Sequence, residues 1–391
     1  MPLNILIAPS GFKESLSVDA VIRAIGDGVQ RAMPEARILA APMVDGGEGT
    51  VKALVRSTSG ELIRTRVTGP VGQPVSSFWG LLGGAGPRTA VIEMAAAAGL
   101  SLVPRNQRNP MLTTSFGVGE LILEALDAGA ERILVGCGDS GINDGGAGLA
   151  QALGARLLDE NGARIGPGGG ELAWLHRIDM SDLDPRLKSV QIDAAVNWHN
   201  QLLGPRGVAR VFGPQKGATP SQVDYLDAAL SRWAVAIRAE TGIDVARMSG
   251  AGASGGLGAG LAAFAGATLH PRFEIVLEYL EFDRLLDRAD LVITAEGSLD
   301  GQSPFGKVPC EVGRRAESHG IPAIALAGTI GKGAGETFSH GISAFASILK
   351  RPCSLEEAIE NGEKLLRRAA EDAVRMMGVG VRLSARGSMA A

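Results

Sequence analysis

Apolar runs too short to be helices, each cut off by a loop rich in glycine and charge, constrain this chain most. Residues 4–8 (NILIA) have the length and content of a buried strand and stop at residues 9–15 (PSGFKES). Ser17 then reads as the N-cap of a helix over residues 18–33, ended by Pro34, and residues 37–43 (RILAAPM) read as the next strand. Strand, loop, helix and strand in that order open an α/β fold with a parallel sheet. The texture returns late in the chain, with a strand at 291–294, a helix at 307–319, strands at 322–327 and 342–348, and a long helix at 354–377. Residues 384–391 are expected to fray. Ligands of such sheets bind outside the carboxyl ends of the strands, so the loops there are the places to search.

The middle of the chain reads differently. Residues 62–67 (LIRTRV) alternate apolar and polar side chains, and strands at 75–82 and 88–94 follow, as suits a half-exposed antiparallel or mixed sheet. Beyond them come a helix at 113–128, a strand at 132–136, a helix at 147–153, a hairpin and glycine loop at 156–170, a strand at 190–196 and a helix at 220–241. A chain of 391 residues exceeds most single cores. The expected architecture is α/β in two domains. Residues 1–60 and 285–391 form a doubly wound, flavodoxin- or Rossmann-like parallel sheet, interrupted by an inserted α/β domain over 61–284 with a mixed sheet. The active site is expected in the cleft between the domains, where ligand pockets concentrate.

Several function classes drop out. A net charge of -4 leaves no basic footprint for nucleic acid. Cys137, Cys310 and Cys353 are too scattered for a disulfide framework or a zinc site. No signal peptide is read at the N-terminus, and no apolar run is long enough to span a bilayer, so a cytoplasmic protein is expected. The 55 glycines, with aromatics at only 4%, point to many turns and close backbone approaches.

Three kinds of loop carry chemistry. Residues 291–307 (LVITAEGSLDGQSPFGK) place Glu296, Asp300 and Lys307 after a strand. Asp45 and Glu48 lie among glycines after the second strand, and Asp139, Asn143 and Asp144 repeat that pattern after the strand at 132–136. Such acids serve as helix caps or, where each loop offers two or more, as magnesium ligands beside substrate phosphates. Gly252, Ser254, Gly255, Gly256 and Gly258 enter a helix and suit either backbone N–H contacts to phosphate or a close helix crossing. Lys13 and Lys216 stand in turns from which an ammonium can reach a carboxylate or phosphate. Neither Gly306-Lys307 nor Gly331-Lys332 is followed by the hydroxyl of a P-loop, and residues 9–15 lack a dinucleotide fingerprint. No Ser/His/Asp hydrolase is expected. His199, at a strand end, reads as a residue satisfied by backbone.

Six ordered segments resemble a known family. SGFKESLS (10–17), PMVDGGEGT (42–50), GINDGGAGLAQALG (141–154), VFGPQKGATP (211–220), GASGGLGAGL (252–261) and ITAEGSLDGQSPFGK (293–307) are similar to motifs of the bacterial glycerate 2-kinases, over about residues 3–377. The resemblance implies two domains, ATP and a divalent cation, usually Mg2+. It also implies transfer of phosphate to the 2-hydroxyl of D-glycerate. The chain departs from common family motifs at Ser10, where many members carry Asp, at Asn197, also Asp in many, and at Ser298, Arg in many.

The resulting assignment is an ATP-dependent kinase making 2-phospho-D-glycerate. Asp300, Lys307, Glu296 and Lys13 are its catalytic candidates, with Asp300 as the base. Lys13, Asp45, Glu48, Asn200 and Lys216 are the candidates for substrate, and the glycines and Ser254 of 252–258 with Asp144 for nucleotide. Asp45, Glu296 and Asp300 are the magnesium candidates. A kinase giving 3-phosphoglycerate or using another hydroxy acid, and a non-catalytic carboxylate or nucleotide sensor, stand as alternatives. The expected partners are D-glycerate and ATP, with neither nucleic acid nor membrane, in a monomer or a homodimer.

Overall fold

A computed structural model describes residues 2–12 and 15–388. The chain divides into two compact units, Met1–Val44 with Leu277–Ala391 and Asp45–Val276. These bounds differ from the expected 60/61 and 284/285. The helix Thr50–Ser57 packs on the strands of the second unit, burying Val51, Leu54 and Val55, so the chain changes units before this helix.

The first unit is built on five parallel strands in the order Ala344–Ser347, Ala323–Ile330, Leu291–Leu299, Asn4–Ile7, Arg37–Ala40. Numbered along the unit, that order is 5-4-3-1-2, the flavodoxin-like winding. Ile5, Ile7, Ile293, Ala295 and Leu326 are buried in the core between this sheet and the helices Val18–Ala32 and Gly362–Ser388. Ser17 caps the first helix by accepting from the Ala20 N–H at 3.3 Å. The two helices cross closely at Gly28, where a Cβ would come 2.2 Å from the Arg367 carbonyl oxygen, so only glycine fits.

Two expectations change here. The strand beginning at Leu291 does not stop at 294. It runs to Leu299 because Ala323–Ile330 stays paired with it, Ser298 standing opposite Thr329. The small residues permit this, since a Cβ on Gly328 would come 2.5 Å from the Gly297 carbonyl oxygen. The terminal helix is broken at Asn361 into Leu355–Glu360 and Gly362–Ser388; of the stretch expected to fray, residues 384–388 have helical backbone and residues 389–391 lie outside the described residues.

The second unit carries six strands in the order Thr268–Pro271, Gln191–Val196, Arg132–Gly136, Thr89–Glu93, Pro74–Leu81, Glu61–Thr68. The first four are mutually parallel and the last two join antiparallel, so the sheet is mixed. Ile92, Leu121, Ile133, Val135 and Leu257 lie in the core on one side. A second cluster centred on Trp233, Leu226 and Leu172 joins Pro220–Thr241 and Ala253–Phe264 to a small hairpin. That hairpin pairs Arg156–Leu158 with Arg177–Asp179, rather than closing within 156–170. Among the described residues no helix is long and apolar enough to cross a membrane.

Candidate active site

In the first unit the strands Asn4–Ile7 and Leu291–Leu299 lie side by side, and the chain leaves this pair toward opposite edges of the sheet. Their carboxyl ends therefore open the crevice where doubly wound sheets bind ligands. Ser10 ties the first end to the second, its N–H donating to the Ala295 carbonyl at 2.9 Å and its hydroxyl to the same oxygen at 3.2 Å. Glu296 follows at once, on the strand and partly buried. Asp300 begins the next turn, its Oδ1 accepting from the Gln302 N–H at 2.9 Å. Lys307 is the N-cap residue of the helix Val308–Ser318, and its Nζ donates at 3.0 Å to both oxygens of Asp300 and at 3.2 Å to the Ser298 carbonyl. Ser298 Oγ donates to Asp300 Oδ2 at 3.1 Å. The Lys307 ammonium, helped by these donors, holds the Asp300 carboxyl below the usual range. Lys13 lies outside the described residues.

In the second unit the candidates gather at the carboxyl ends of the parallel strands. Gly46 and Gly47 run against Gly136 and Gly138 at backbone contact, since a Cβ on either Gly136 or Gly138 would come 2.6 Å from the facing chain. This approach puts Asp45, Glu48 and Asp139 side by side. Asp139 Oδ2 accepts from the Glu48 N–H at 2.9 Å, Glu48 Oε1 accepts from Ser101, and Asp45 Oδ2 accepts from Arg272 Nη1 at 3.0 Å. Behind them lies a buried polar core. Asp144 is fully buried and accepts from Ser115 N–H at 2.7 Å, Ser115 Oγ at 2.8 Å, and the N–H groups of Gly146 and Gly148 at 3.1 Å. Burial pushes its carboxyl up, against donors that favour the charged form. The amide of Asn143, equally buried, finds no hydrogen-bond partner among the described residues.

Lys216 belongs to this core rather than to the surface of its turn. It is 2% exposed and donates to Ser140 Oγ at 2.8 Å and the Ile142 carbonyl at 2.6 Å. Burial lowers its pKa to about 7, and the Asp144 charge works in the opposite direction. The ammonium thus braces the loop 140–144.

The glycine segment fits its neighbours at backbone range. A Cβ at Gly252 or Gly255 would come 2.0 Å from the carbonyl oxygens of Gln201 and Ile142, and at Gly258 2.3 Å from that of Gly250. Close packing therefore accounts for these glycines by itself. The contact draws Asn200 in, its carbonyl accepting from the Gly252 N–H at 3.1 Å. Ser254, Gly255 and Gly256 are all left-handed, and Ser254, at φ 51°, keeps partial exposure where residues 255–258 are buried. Asp139, at φ 52°, is left-handed too, and such strain in non-glycine residues concentrates at functional sites. Residues 252–256 spell G-x-S-x-G, yet they follow a turn rather than a strand, and Ser254 Oγ has no hydrogen-bond partner among the described residues, so no nucleophile elbow forms. His199 is exposed.

Sequence reasoning missed Glu93, Ser115, Ser140 and Arg272. Glu93 ends a fully buried strand, is itself 2% exposed, and accepts from the Val51 N–H at 3.0 Å, fixing the start of the helix Thr50–Ser57. Burial raises its pKa. A lone carboxylate closing an apolar strand was the signal that could have found it. Among the described residues no three His, Cys, Asp or Glu converge as a ready metal cage.

Taken together, a flavodoxin-like sheet with an acid–lysine pair at its switch point, joined to a second α/β unit with acids and glycines at its strand ends, defines a small-ligand α/β enzyme framework. The chain belongs to the glycerate kinase family, whose family-wide pattern it matches over residues 5–378. A glycerate 2-kinase of Escherichia coli is 45% identical over 97% of this chain and 99% of its own length. A glycerate kinase of Bacillus subtilis is 48% identical over 95% and 96% of the two chains. The crystal structure of a candidate glycerate kinase 2 from Salmonella typhimurium LT2 has a TM-score of 0.88 and 46% identity, covering 98% of this chain and all of that one.

Proposed function

We propose that this protein transfers the γ-phosphoryl group of ATP to the 2-hydroxyl of D-glycerate, giving 2-phospho-D-glycerate and ADP. The observation that carries this reading is family membership over nearly the whole chain, with a near full-length relative named for the 2-position. Phosphoryl transfer asks a protein for alignment and charge neutralisation more than for covalent chemistry, and the two groups of residues suit that demand. Asp300 stays ionised through the physiological range and takes the proton of the attacking hydroxyl. The loose transition state makes a weak base sufficient for this step. Lys307, clamped by both Asp300 oxygens and the Ser298 carbonyl, aims its charge at the migrating phosphoryl. Lys13 shares that role. Asp45, Glu48 and Asn200 position glycerate, with Arg272 holding Asp45, while Lys216 fixes the loop 140–144 from behind. Backbone N–H groups near Ser254 meet the phosphates of ATP.

Mg2+ is part of the reading. Magnesium takes one or two carboxylates plus phosphate oxygens and water, so it would arrive with its nucleotide and needs no three-ligand protein cage, of which there is none among the described residues. Glu296, Asp300 and Asp45 are the carboxylates available to it, and when bound it would neutralise phosphate charge. A coupled assay for ADP tests the reading, run with D-glycerate and L-glycerate. Turnover with D-glycerate and Mg-ATP is expected, and its absence contradicts the reading.

A further inference from the structure

A cavity of about 470 Å3 lies in the second unit, lined by none of the residues given a role above. Phe116, Leu157 and Ile165 give it an apolar side, and Gln151, Arg156 and Arg164 a polar one. Its volume falls in the range of small-molecule sites. Arg156 is already engaged, with Nη2 2.7 Å from Asp179 Oδ2 and 2.8 Å from Ser181 Oγ. Gln151 donates to the Ile165 carbonyl at 3.3 Å. The exposed guanidinium of Arg164 is different, for it has no hydrogen-bond or ion-pair partner among the described residues. A pocket with an apolar wall and one uncompensated cation suits a small organic anion.

The walls of the cavity are also the segments that hold Asp144. Thr114 and Phe116 flank Ser115, whose N–H and hydroxyl both bind that carboxylate. Gln151 lies on the helix Ala147–Ala152, whose Gly148 N–H supplies another donor. The two walls cannot move independently. The Leu149 N–H donates to Ser115 Oγ at 2.9 Å, and a Cβ on Gly148 would come 2.2 Å from Thr114 Oγ1.

We propose that this cavity is an effector site for a small organic anion, with Arg164 as its charge partner, and that its occupant alters turnover by shifting the two segments that hold Asp144. The effect on turnover rests on the kinase reading, whereas binding does not. Isothermal calorimetry on the full chain, with phosphoenolpyruvate and citrate as probes, measures binding with D-glycerate and a non-hydrolysable ATP analogue saturating. At least one probe is expected to bind saturably, and Arg164→Glu is expected to weaken it about tenfold or more. Phosphoenolpyruvate alone points to a phosphate-bearing occupant, and both probes to a carboxylate. The same probe should change the wild-type rate at sub-saturating D-glycerate while Arg164→Glu keeps the basal rate and loses the response. Binding that ignores Arg164→Glu, binding abolished by the substrates, or no binding by either probe overturns the proposal. Arg164-dependent binding to a protein with no kinase activity would sink the kinase reading and leave the site standing.

Discussion

Lys307 Nζ stands 3.0 Å from both carboxylate oxygens of Asp300, at the carboxyl end of the central strand where the first unit's winding reverses. The pair is partly exposed, so it adds little to stability, and its arrangement is better explained by function. Lys307→Ala and Asp300→Asn should each lower kcat by about a hundredfold or more while leaving the thermal midpoint nearly unchanged. Steady-state kinetics beside a melting curve checks both halves.

The same pair fixes a pH dependence. Lys307 lowers the pKa of Asp300, so the carboxylate persists below the range where an isolated one would protonate. Removing the lysine charge raises that pKa, and the acid limb of the residual kcat/KM profile of Lys307→Ala should move to higher pH. An unchanged acid limb would separate Asp300 from proton transfer.

Lys216 makes an opposite, structural prediction. Its folded pKa of about 7 lies below the roughly 10.4 of an unfolded lysine, so between those values the unfolded chain binds more protons. Stability from this group therefore rises with pH across that window and is flat below it. The wild type should gain unfolding free energy relative to Lys216→Met as pH climbs through the window, as urea titrations would show.

Two glycines separate packing from binding. Gly28→Ala forces a Cβ to 2.2 Å from the Arg367 carbonyl oxygen and should cost about 1–3 kcal/mol with KM unchanged. Gly255→Ala, at φ 74° and 2.0 Å from the Ile142 carbonyl oxygen, should cost at least as much and also raise KM for ATP. Denaturation and substrate titrations of both variants check this contrast.

Removal of the divalent cation by EDTA should abolish turnover, and added Mg2+ should restore it. Turnover that survives thorough chelation would remove Glu296, Asp300 and Asp45 from any role as metal ligands.

Much of the fold could be read from the chain because a buried parallel strand announces itself. Residues 5–8 (ILIA) and 133–136 (ILVG) are apolar runs, and Ser17 caps the helix that its position suggested. What stayed hidden depends on partners distant in sequence. Leu291–Leu299 is long because Ala323–Ile330 accompanies it, and Thr268–Pro271 is a strand only beside Gln191–Val196. Thr113–Ser115, which the apolar period assigns to a helix, stand before it, and Ser115 binds Asp144. The charged loops could be picked out as chemistry, but not the division of labour within them. Nothing in VFGPQKGATP says that Lys216 turns inward to Ser140 and the Ile142 carbonyl, because those partners lie in another loop.

The central claim is a phosphate placed on carbon 2 of D-glycerate, and proton-coupled phosphorus NMR of the product tests it most directly. An ester phosphorus split into a doublet by the single proton on that carbon is expected, appearing only with ATP and D-glycerate together. A triplet, from phosphate on the terminal methylene, or no new ester signal at all, would contradict it.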